Sequence, residues 1–162
     1  MREGAQIDMV LAFEKPLAPL AAYPKPTQER AELSKLEISV VFTYVQPTLG
    51  ALKQAGALAQ PLAARITLIV PQIVPFPLPL ESPPVLLDFN ERRFLTLARE
   101  SRIDTTVRIF LCRDRWELLS KKLRPHSLVV LGARKRWWPA AETRLAKKLR
   151  RMGHEVVVVE TE

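Results

Sequence analysis

Short apolar, β-branched runs alternate along this chain with segments in which apolar residues recur at helical spacing. The runs EISVVFTYV, ARITLIVP, TTVRIFLC, SLVVLG and EVVVVE predict five strands. Four helices are predicted. The first covers about Thr48–Ala64, and the second begins at Asp88 or Asn90. The third follows an Asp114 cap, and the fourth lies between Pro139 and Gly153. Regular alternation of strand and helix predicts an α/β domain whose parallel sheet lies between two helical layers.

Two proline-containing segments interrupt this pattern. Residues 1–36 carry four prolines, scattered charges and no sustained period, which predicts a poorly ordered, flexible N-terminal arm. The domain is then residues 37–162. Residues 71–88 carry six prolines among apolar residues, which predicts an extended loop after the second strand. Such a loop either has a functional role or packs over the sheet or a second subunit.

Composition narrows the class of protein. A hydrophobic fraction of 48% excludes a disordered chain, and the net charge of +8 could attract polyanions or an anionic membrane. The lone Cys112 fits a reducing cytoplasm and is predicted to be a buried hydrophobe. No signal peptide is predicted, and prolines interrupt the longest apolar run, so no transmembrane helix and a cytoplasmic location are expected.

Catalytic and metal-binding constellations are not evident. His126 and His154 have no companion cluster of carboxylates or thiolates, so no metal site is predicted. Ser120 and Ser127 lack a nucleophile elbow, and Ser127 adjoins His126 only in sequence. We therefore expect no catalytic residues and no enzymatic activity.

The basic loop ARKRWW, residues 133–138, is the sharpest local feature. It follows the fourth strand beside a topological switch point, where open parallel sheets bind ligands. Arg134, Lys135 and Arg136 could hold an anion there, and Trp137 or Trp138 could stack on a base. The alternative is that the tryptophans anchor the loop to the proline-rich segment while the charges are solvated.

A second basic feature lies on the last predicted helix. Its cations are Arg144, Lys147, Lys148, Arg150 and Arg151. They form a basic outer face that could bind nucleic acid or acidic lipid. A solvated face near the helix C-terminus is the alternative, and the more favoured one.

The segment from Ile38 to Val159 resembles the universal stress protein domain. The likeness rests on ALKQAGALAQPLAARITLIVP, on the proline-rich loop that follows it, and on HSLVVLGAR with AETRLAKKL and a final valine-rich strand. The resemblance implies an adenine nucleotide alpha hydrolase-like fold with strand order 3-2-1-4-5. It also implies a homodimer through the C-terminal strand, which lies at a sheet edge.

ATP-binding members of that family carry a glycine motif that lets backbone amides approach phosphates. Gly132 fits its first position, but Lys135 stands at the second, and Leu145 and Ala146 at the last two. Alignment by the helix instead puts Pro139 and Ala140 at the last two positions of the motif. The family's nucleotide-binding Asp is replaced within the stretch Phe42–Val45. The candidate ligand-binding residues are Thr43, Gly132, Arg134, Lys135 and Arg136.

The sequence thus favours a non-enzymatic, cytoplasmic stress-response regulatory or binding protein of universal stress type, with an anionic ligand at the loop after the fourth strand. Two alternatives stay open: a nucleic-acid-binding accessory protein, and a divergent nucleotide-binding protein with weak ATPase activity. No cofactor is expected, although ATP or another nucleotide stays open as a ligand. The expected partner is a second copy of the chain.

Overall fold

A computed structural model describes residues 13–16, 36–135 and 141–162. The strands are β1 (Phe13–Pro16), β2 (Glu37–Val41), β3 (Arg65–Ile73), β4 (Thr106–Cys112), β5 (Leu128–Arg134) and β6 (Glu155–Thr161). The helices are α1 (Val45–Leu62), α2 (Leu87–Ser101), α3 (Arg115–Lys122) and α4 (Ala141–Arg151). From β2 onward strands and helices alternate, as the hydrophobic pattern predicts.

The strands form one sheet with the order β1-β4-β3-β2-β5-β6. Strands β2 to β6 pair in parallel, and Val41 of β2 stands between Ile69 of β3 and Leu131 of β5. Counted from β2, the parallel strands have the order 3-2-1-4-5. The predicted five-stranded, doubly wound parallel sheet is therefore confirmed.

Two apolar cores lie on opposite faces of this sheet because successive side chains of a strand point to opposite faces. The first core joins the sheet to α1 and α2, through residues that include Val40, Leu68, Val130, Leu52 and Phe94. The second joins it to α3 and α4, through residues that include Val41, Ile69, Leu131, Leu119 and Leu149. Burial on both faces explains why the parallel strands read as nearly continuous apolar runs.

The short strand β1 was not predicted. It pairs antiparallel with β4, placing Glu14 opposite Arg108, and extends the sheet to six strands. Its sequence, FEKP, carries two charges and a proline, so it gives no strand signal by itself. The rest of the predicted arm, apart from Leu36, lies outside the described residues.

Strand β3 continues through Pro71 to Ile73, so the prediction that regular structure ends at residue 71 was wrong. The Ile69 carbonyl accepts a hydrogen bond from the Phe42 N–H, so it points toward β2. Position 71 points the same way, past the end of β2 at Val41. The missing N–H of Pro71 therefore lies on the side away from β4, with which β3 continues to pair as far as Ile73.

Helix boundaries were predicted with mixed success. Helix α1 begins at Val45 rather than at Thr48, and α2 follows an N-cap at Leu86 rather than at Asp88 or Asn90. The Asp114 cap of α3 is confirmed, because its Oδ1 accepts a hydrogen bond from the Glu117 N–H at 2.8 Å. No helix in the described part of the chain is long and apolar enough to cross a membrane.

Candidate functional site

The candidate site lies at the carboxyl ends of β2 and β5, the two central strands at which the strand order reverses. Helix α1 leaves β2 toward one face of the sheet, while α4 follows β5 on the other face. The segments beyond the two strands therefore flank a crevice of the kind that binds ligands in open α/β sheets. Thr43 and Tyr44 contribute from one side and Gly132 to Lys135 from the other.

The structure brings Thr43 and Gly132 together, but their polar groups make hydrogen bonds within the protein. The Thr43 Oγ1 donates a hydrogen bond to the Gly132 carbonyl at 2.7 Å, and the Thr43 N–H donates to the Thr48 Oγ1 at 3.2 Å. Thr43 is only 6% exposed. These contacts connect β5 to the first turn of α1. The Thr43 hydroxyl is therefore already engaged within the protein.

Gly132 has a packing reason to be glycine. A Cβ at this position would overlap the backbone carbonyl of Pro47 and lie 2.7 Å from the Pro47 Cβ. Only a residue without a side chain lets the first turn of α1 approach β5 this closely. The glycine that matches the first position of the phosphate-binding motif is thus explained by contact between a helix and a strand.

Arg134 and Lys135 supply the exposed charge of the site. Strand β5 extends through Arg134, so this residue lies in a strand and not in the predicted loop. The Arg134 guanidinium carbon lies 4.2 Å from the centroid of the Tyr44 ring, a cation–π contact that positions the charge. The Lys135 N–H donates to the Thr161 carbonyl at 3.1 Å, while its side chain is exposed. Arg136, Trp137, Trp138 and Pro139 lie outside the described residues.

The N-terminus of α1 adds a positive end to the same crevice. Tyr44 is its N-cap and makes no capping hydrogen bond through its side chain, and the first turn contains no acidic residue. The partial positive charge at the start of this 18-residue helix is therefore not offset by a local carboxylate. Arg134, stacked on Tyr44, lies beside it, so the crevice is suited to hold an anion.

A groove that sequence reasoning missed runs beside α2. Its volume is about 440 Å³, and its lining includes Val45, Phe89, Arg92, Arg93 and Leu97. Phe89 is 58% exposed, although the sequence pattern did not single it out. Because Val45 is the first residue of α1, the groove extends outward from the start of this helix.

The predicted basic residues of α4 lie on its exposed face. All five, Arg144, Lys147, Lys148, Arg150 and Arg151, are exposed. The Arg150 guanidinium donates to the Val156 carbonyl at 2.8 Å, and the Lys148 Nζ lies 5.2 Å from the centroid of the Trp116 ring. Two of the five cations thus contact the protein itself, and the others face solvent.

The two histidines meet at the amino ends of β5 and β6. The Ser127 N–H donates to the Nδ1 of His154 at 3.2 Å, and the Ser127 Oγ lies 3.0 Å from the same nitrogen. The His126 Nδ1 lies 3.2 Å from the Gly153 carbonyl. Burial lowers the pKa of His154, with a further lowering from nearby His126. The sequence analysis did not predict this contact between Ser127 and His154, because it comes from the parallel register of two strands.

Cys112 is buried, as predicted, and only 8% exposed. Burial raises the pKa of its thiol to about 11, and the carboxylate of Asp114 also raises it. The thiolate that a nucleophile requires is therefore scarce at neutral pH. No three His, Cys, Asp or Glu side chains gather into a metal-binding group within the described part of the chain.

Comparison with solved structures places this architecture among universal stress proteins. A protein of the universal stress protein family from Burkholderia pseudomallei is similar with a TM-score of 0.53 and 26% identity, over 76% of this chain and 94% of that chain. A universal stress protein in complex with cAMP is similar with a TM-score of 0.52 and 16% identity, over 78% of this chain and 98% of that one. No protein-family model and no curated protein matches the sequence. The chain contains a universal stress protein-like domain.

Proposed function

We propose that this protein is a non-enzymatic, cytoplasmic binding module of universal stress type, with a regulatory role in the stress response. It holds a small anionic ligand at the carboxyl ends of β2 and β5. The fold supports this class, and the structure solved with cAMP is a protein of similar fold with a nucleotide ligand. The unpaired, buried Cys112 fits a reducing compartment.

The observation that carries the ligand proposal is the group formed by Arg134, Tyr44 and the N-terminus of α1. The Arg134 guanidinium carbon lies 4.2 Å from the centroid of the Tyr44 ring, and Lys135 adds a second exposed cation. No acidic residue in the first turn of α1 competes for these charges. An anion at this position gains attraction from two side chains and from the helix dipole together.

The same geometry argues against phosphate binding through the family's usual glycine cradle. The space beside Gly132 is filled by Pro47, which has no N–H to donate. Lys135 occupies the second motif position, so side-chain charge replaces a backbone amide there. We therefore propose binding that depends on charge and weakens as salt increases.

Backbone NMR shifts during titration with cAMP and with ATP test the location of the site. The amide signals of Tyr44, Gly132 and Lys135 should move with either ligand. The Arg134→Ala/Lys135→Ala double variant should lose these shifts, whereas Arg144→Ala, which removes an exposed cation of α4, should keep them. Shifts confined to α4, or shifts that survive the double variant, would contradict the proposed site.

Nucleic-acid binding by α4 is the second candidate function. The observation that favours it is that five cations lie exposed on an 11-residue helix. Retention on a DNA or heparin column that falls steeply with salt, and that is lost on changing Arg144, Lys147 and Arg151 to Gln, would support this function. Equal retention of that variant would exclude it.

We also propose that the protein forms a homodimer through β6. This strand is an outer strand of the sheet, and it pairs only with β5 among the described strands. Uncovered edge strands invite pairing with another chain, and identical edges pair most simply around a twofold axis. A dimer of this kind extends the sheet across two copies.

A further inference from the structure

The groove beside α2 follows one face of that helix. Residues at spacings of three and four share a helix face, and six α2 residues line the groove at such spacings: Phe89, Arg92, Arg93, Thr96, Leu97 and Glu100. This face extends for about 16 Å, at about 1.5 Å of rise per residue. The groove volume of about 440 Å³ falls within the range of about 300–1,000 Å³ that small-molecule sites occupy. The groove is therefore large enough for a small ligand.

The base of the groove is apolar and held in place by the core. Phe94 and Leu97 line it and are each 4% exposed. The Phe94 ring packs edge-on against the Phe42 ring, with the two centroids 4.7 Å apart. Phe89, in contrast, is largely exposed although it borders the same groove. A ligand with an apolar part would remove this ring and the base of the groove from water together.

Two arginines supply polar groups toward the start of the groove. The Arg92 Nε donates to the Asp88 carbonyl at 3.3 Å, which uses one of the five N–H donors of this guanidinium. The Arg93 guanidinium carbon lies 5.6 Å from the centroid of the Phe94 ring. Both arginines are exposed, and neither forms an ion pair with a described residue. Guanidinium donors beside an apolar surface suit the carboxylate of an amphiphilic molecule.

Glu100 limits the ligand to one negative group. It lies seven residues after Arg93 in α2, about 10 Å along the helix axis. A second carboxylate that reached it would be repelled. Between these charges, the Thr96 hydroxyl donates to the Arg92 carbonyl at 2.9 Å and is thus engaged within the helix. The groove therefore offers cations toward one end, apolar surface in its middle and an acid at the other end.

We propose that this groove binds a monocarboxylate with an apolar tail, of the size of a medium-chain fatty acid. The carboxylate lies beside Arg92 and Arg93, and the tail covers the apolar lining. Neither Arg134 nor Lys135 lines the groove, so this site is separate from the anion site at the carboxyl ends of β2 and β5. The proposal does not depend on the function proposed above.

NMR titration of the full chain with octanoate tests the proposal. The amide signals of Val45, Phe89 and Thr96 should move together and give a single dissociation constant. Octanol, which has the same tail without the charge, should bind more weakly than octanoate. Octanedioate should also bind more weakly, because its second carboxylate comes near Glu100. Unmoved signals, or binding of octanol or octanedioate as tight as that of octanoate, would overturn the proposal.

Arg92→Gln/Arg93→Gln tests the charged part of the groove. This variant should bind octanoate about fivefold more weakly, the upper range of one exposed ion pair, while its affinity for octanol stays the same. Arg99→Gln is the matched control, since it removes an exposed cation of α2 that does not line the groove. The Arg134→Ala/Lys135→Ala variant should also keep the octanoate affinity. Full affinity in the Arg92→Gln/Arg93→Gln variant, or an equal loss in Arg99→Gln, would contradict the assignment.

Phe89→Ser tests the apolar part. Because Phe89 is exposed, this substitution should leave the fold intact and weaken the binding of octanoate and octanol alike. Phe76→Ser makes the same change at a more exposed phenylalanine that does not line the groove, and it should keep both affinities. An equal loss in the two variants would show adsorption to exposed apolar surface and overturn the proposal, as would full octanoate affinity in Phe89→Ser.

Discussion

Gly132 shows how a single residue can match a functional motif and still be required for packing. The glycine stands where the family's phosphate-binding motif begins, yet its missing side chain is what admits the carbonyl of Pro47. The hydrogen bond from Thr43 to the Gly132 carbonyl holds the same contact from the other side. At this position the absence of a side chain serves the packing of α1 against β5.

Gly132→Ala should destabilise the protein by about 3 kcal/mol, the upper end of the usual cost of overpacking, because a backbone carbonyl cannot move aside as a side chain can. Urea unfolding followed by circular dichroism measures this change in the free energy of unfolding. Gly56→Ala is the matched control. Its Cβ would meet the flexible end of the Ile103 side chain, and it lies within α1, where alanine is favoured over glycine. Equal stability of both variants would refute the packing account of Gly132.

His154 should make the stability of the protein depend on pH. Its pKa is lowered in the folded protein by burial and by nearby His126, whereas the unfolded chain titrates near the ordinary value of about 6.5. Below that value the unfolded state binds more protons than the folded state, so acidification disfavours folding. The contribution of neutral His154 is full at pH 7.5 and decreases as the pH falls below about 6.5.

His154→Asn tests this linkage, because its side-chain oxygen can still accept from the Ser127 N–H but does not titrate. Urea midpoints measured between pH 5 and pH 7.5 should fall less steeply with acid in this variant than in the natural protein. His126→Asn, which changes the more exposed histidine, should alter the slope less. Identical slopes in all three proteins would contradict the prediction.

Residue-scale features with a local cause could be predicted from the sequence. The Asp114 cap follows from short-range preferences, and the burial of Cys112 follows from its place inside an apolar strand. The contact between Ser127 and His154 could not be read in the same way. It depends on the register that sets Leu128 beside Glu155, and that register is a property of the folded sheet.

At the scale of elements, the hydrophobic pattern predicted every strand and helix from β2 onward, but several boundaries were wrong. Strand β3 passes through Pro71, and β5 passes into the basic segment as far as Arg134. In both cases a neighbouring strand determines where pairing ends. β1 escaped prediction because pairing with β4 creates this strand without any periodicity of its own.

The edge strand β6 offers a direct test of the homodimer. The Glu155 N–H donates to the Ser127 carbonyl, so the N–H groups of Val156 and Val158 point away from β5. Val158→Pro removes one outward donor without breaking a bond to β5, a substitution that edge strands tolerate. Light scattering should show a monomer for Val158→Pro and a dimer for Val158→Thr, which keeps the donor. A monomeric natural protein at micromolar concentration would refute the homodimer.

At the scale of the whole molecule, the sequence predicted the sheet order through its resemblance to universal stress proteins, and the fold confirms it. The ligand was harder to predict. Gly132 is engaged in packing, and the hydroxyl of Thr43 is engaged in a hydrogen bond, which the sequence alone could not show. Exposed charge lies at the carboxyl ends of β2 and β5, where the Arg134 guanidinium carbon is 4.2 Å from the centroid of the Tyr44 ring.

The central claim is that the carboxyl ends of β2 and β5 hold an anion through the side-chain charge of Arg134 and Lys135, and the salt dependence of ATP binding tests it most directly. Calorimetry with ATP and magnesium should show weak binding at about 0.05 M salt, and this binding should disappear at about 0.5 M, where exposed charges are screened within a few ångströms. The Arg134→Ala/Lys135→Ala variant should show no binding at either salt concentration. Tight, magnesium-dependent binding that persists at high salt and in the double variant would contradict the account and favour a nucleotide-dependent activity instead.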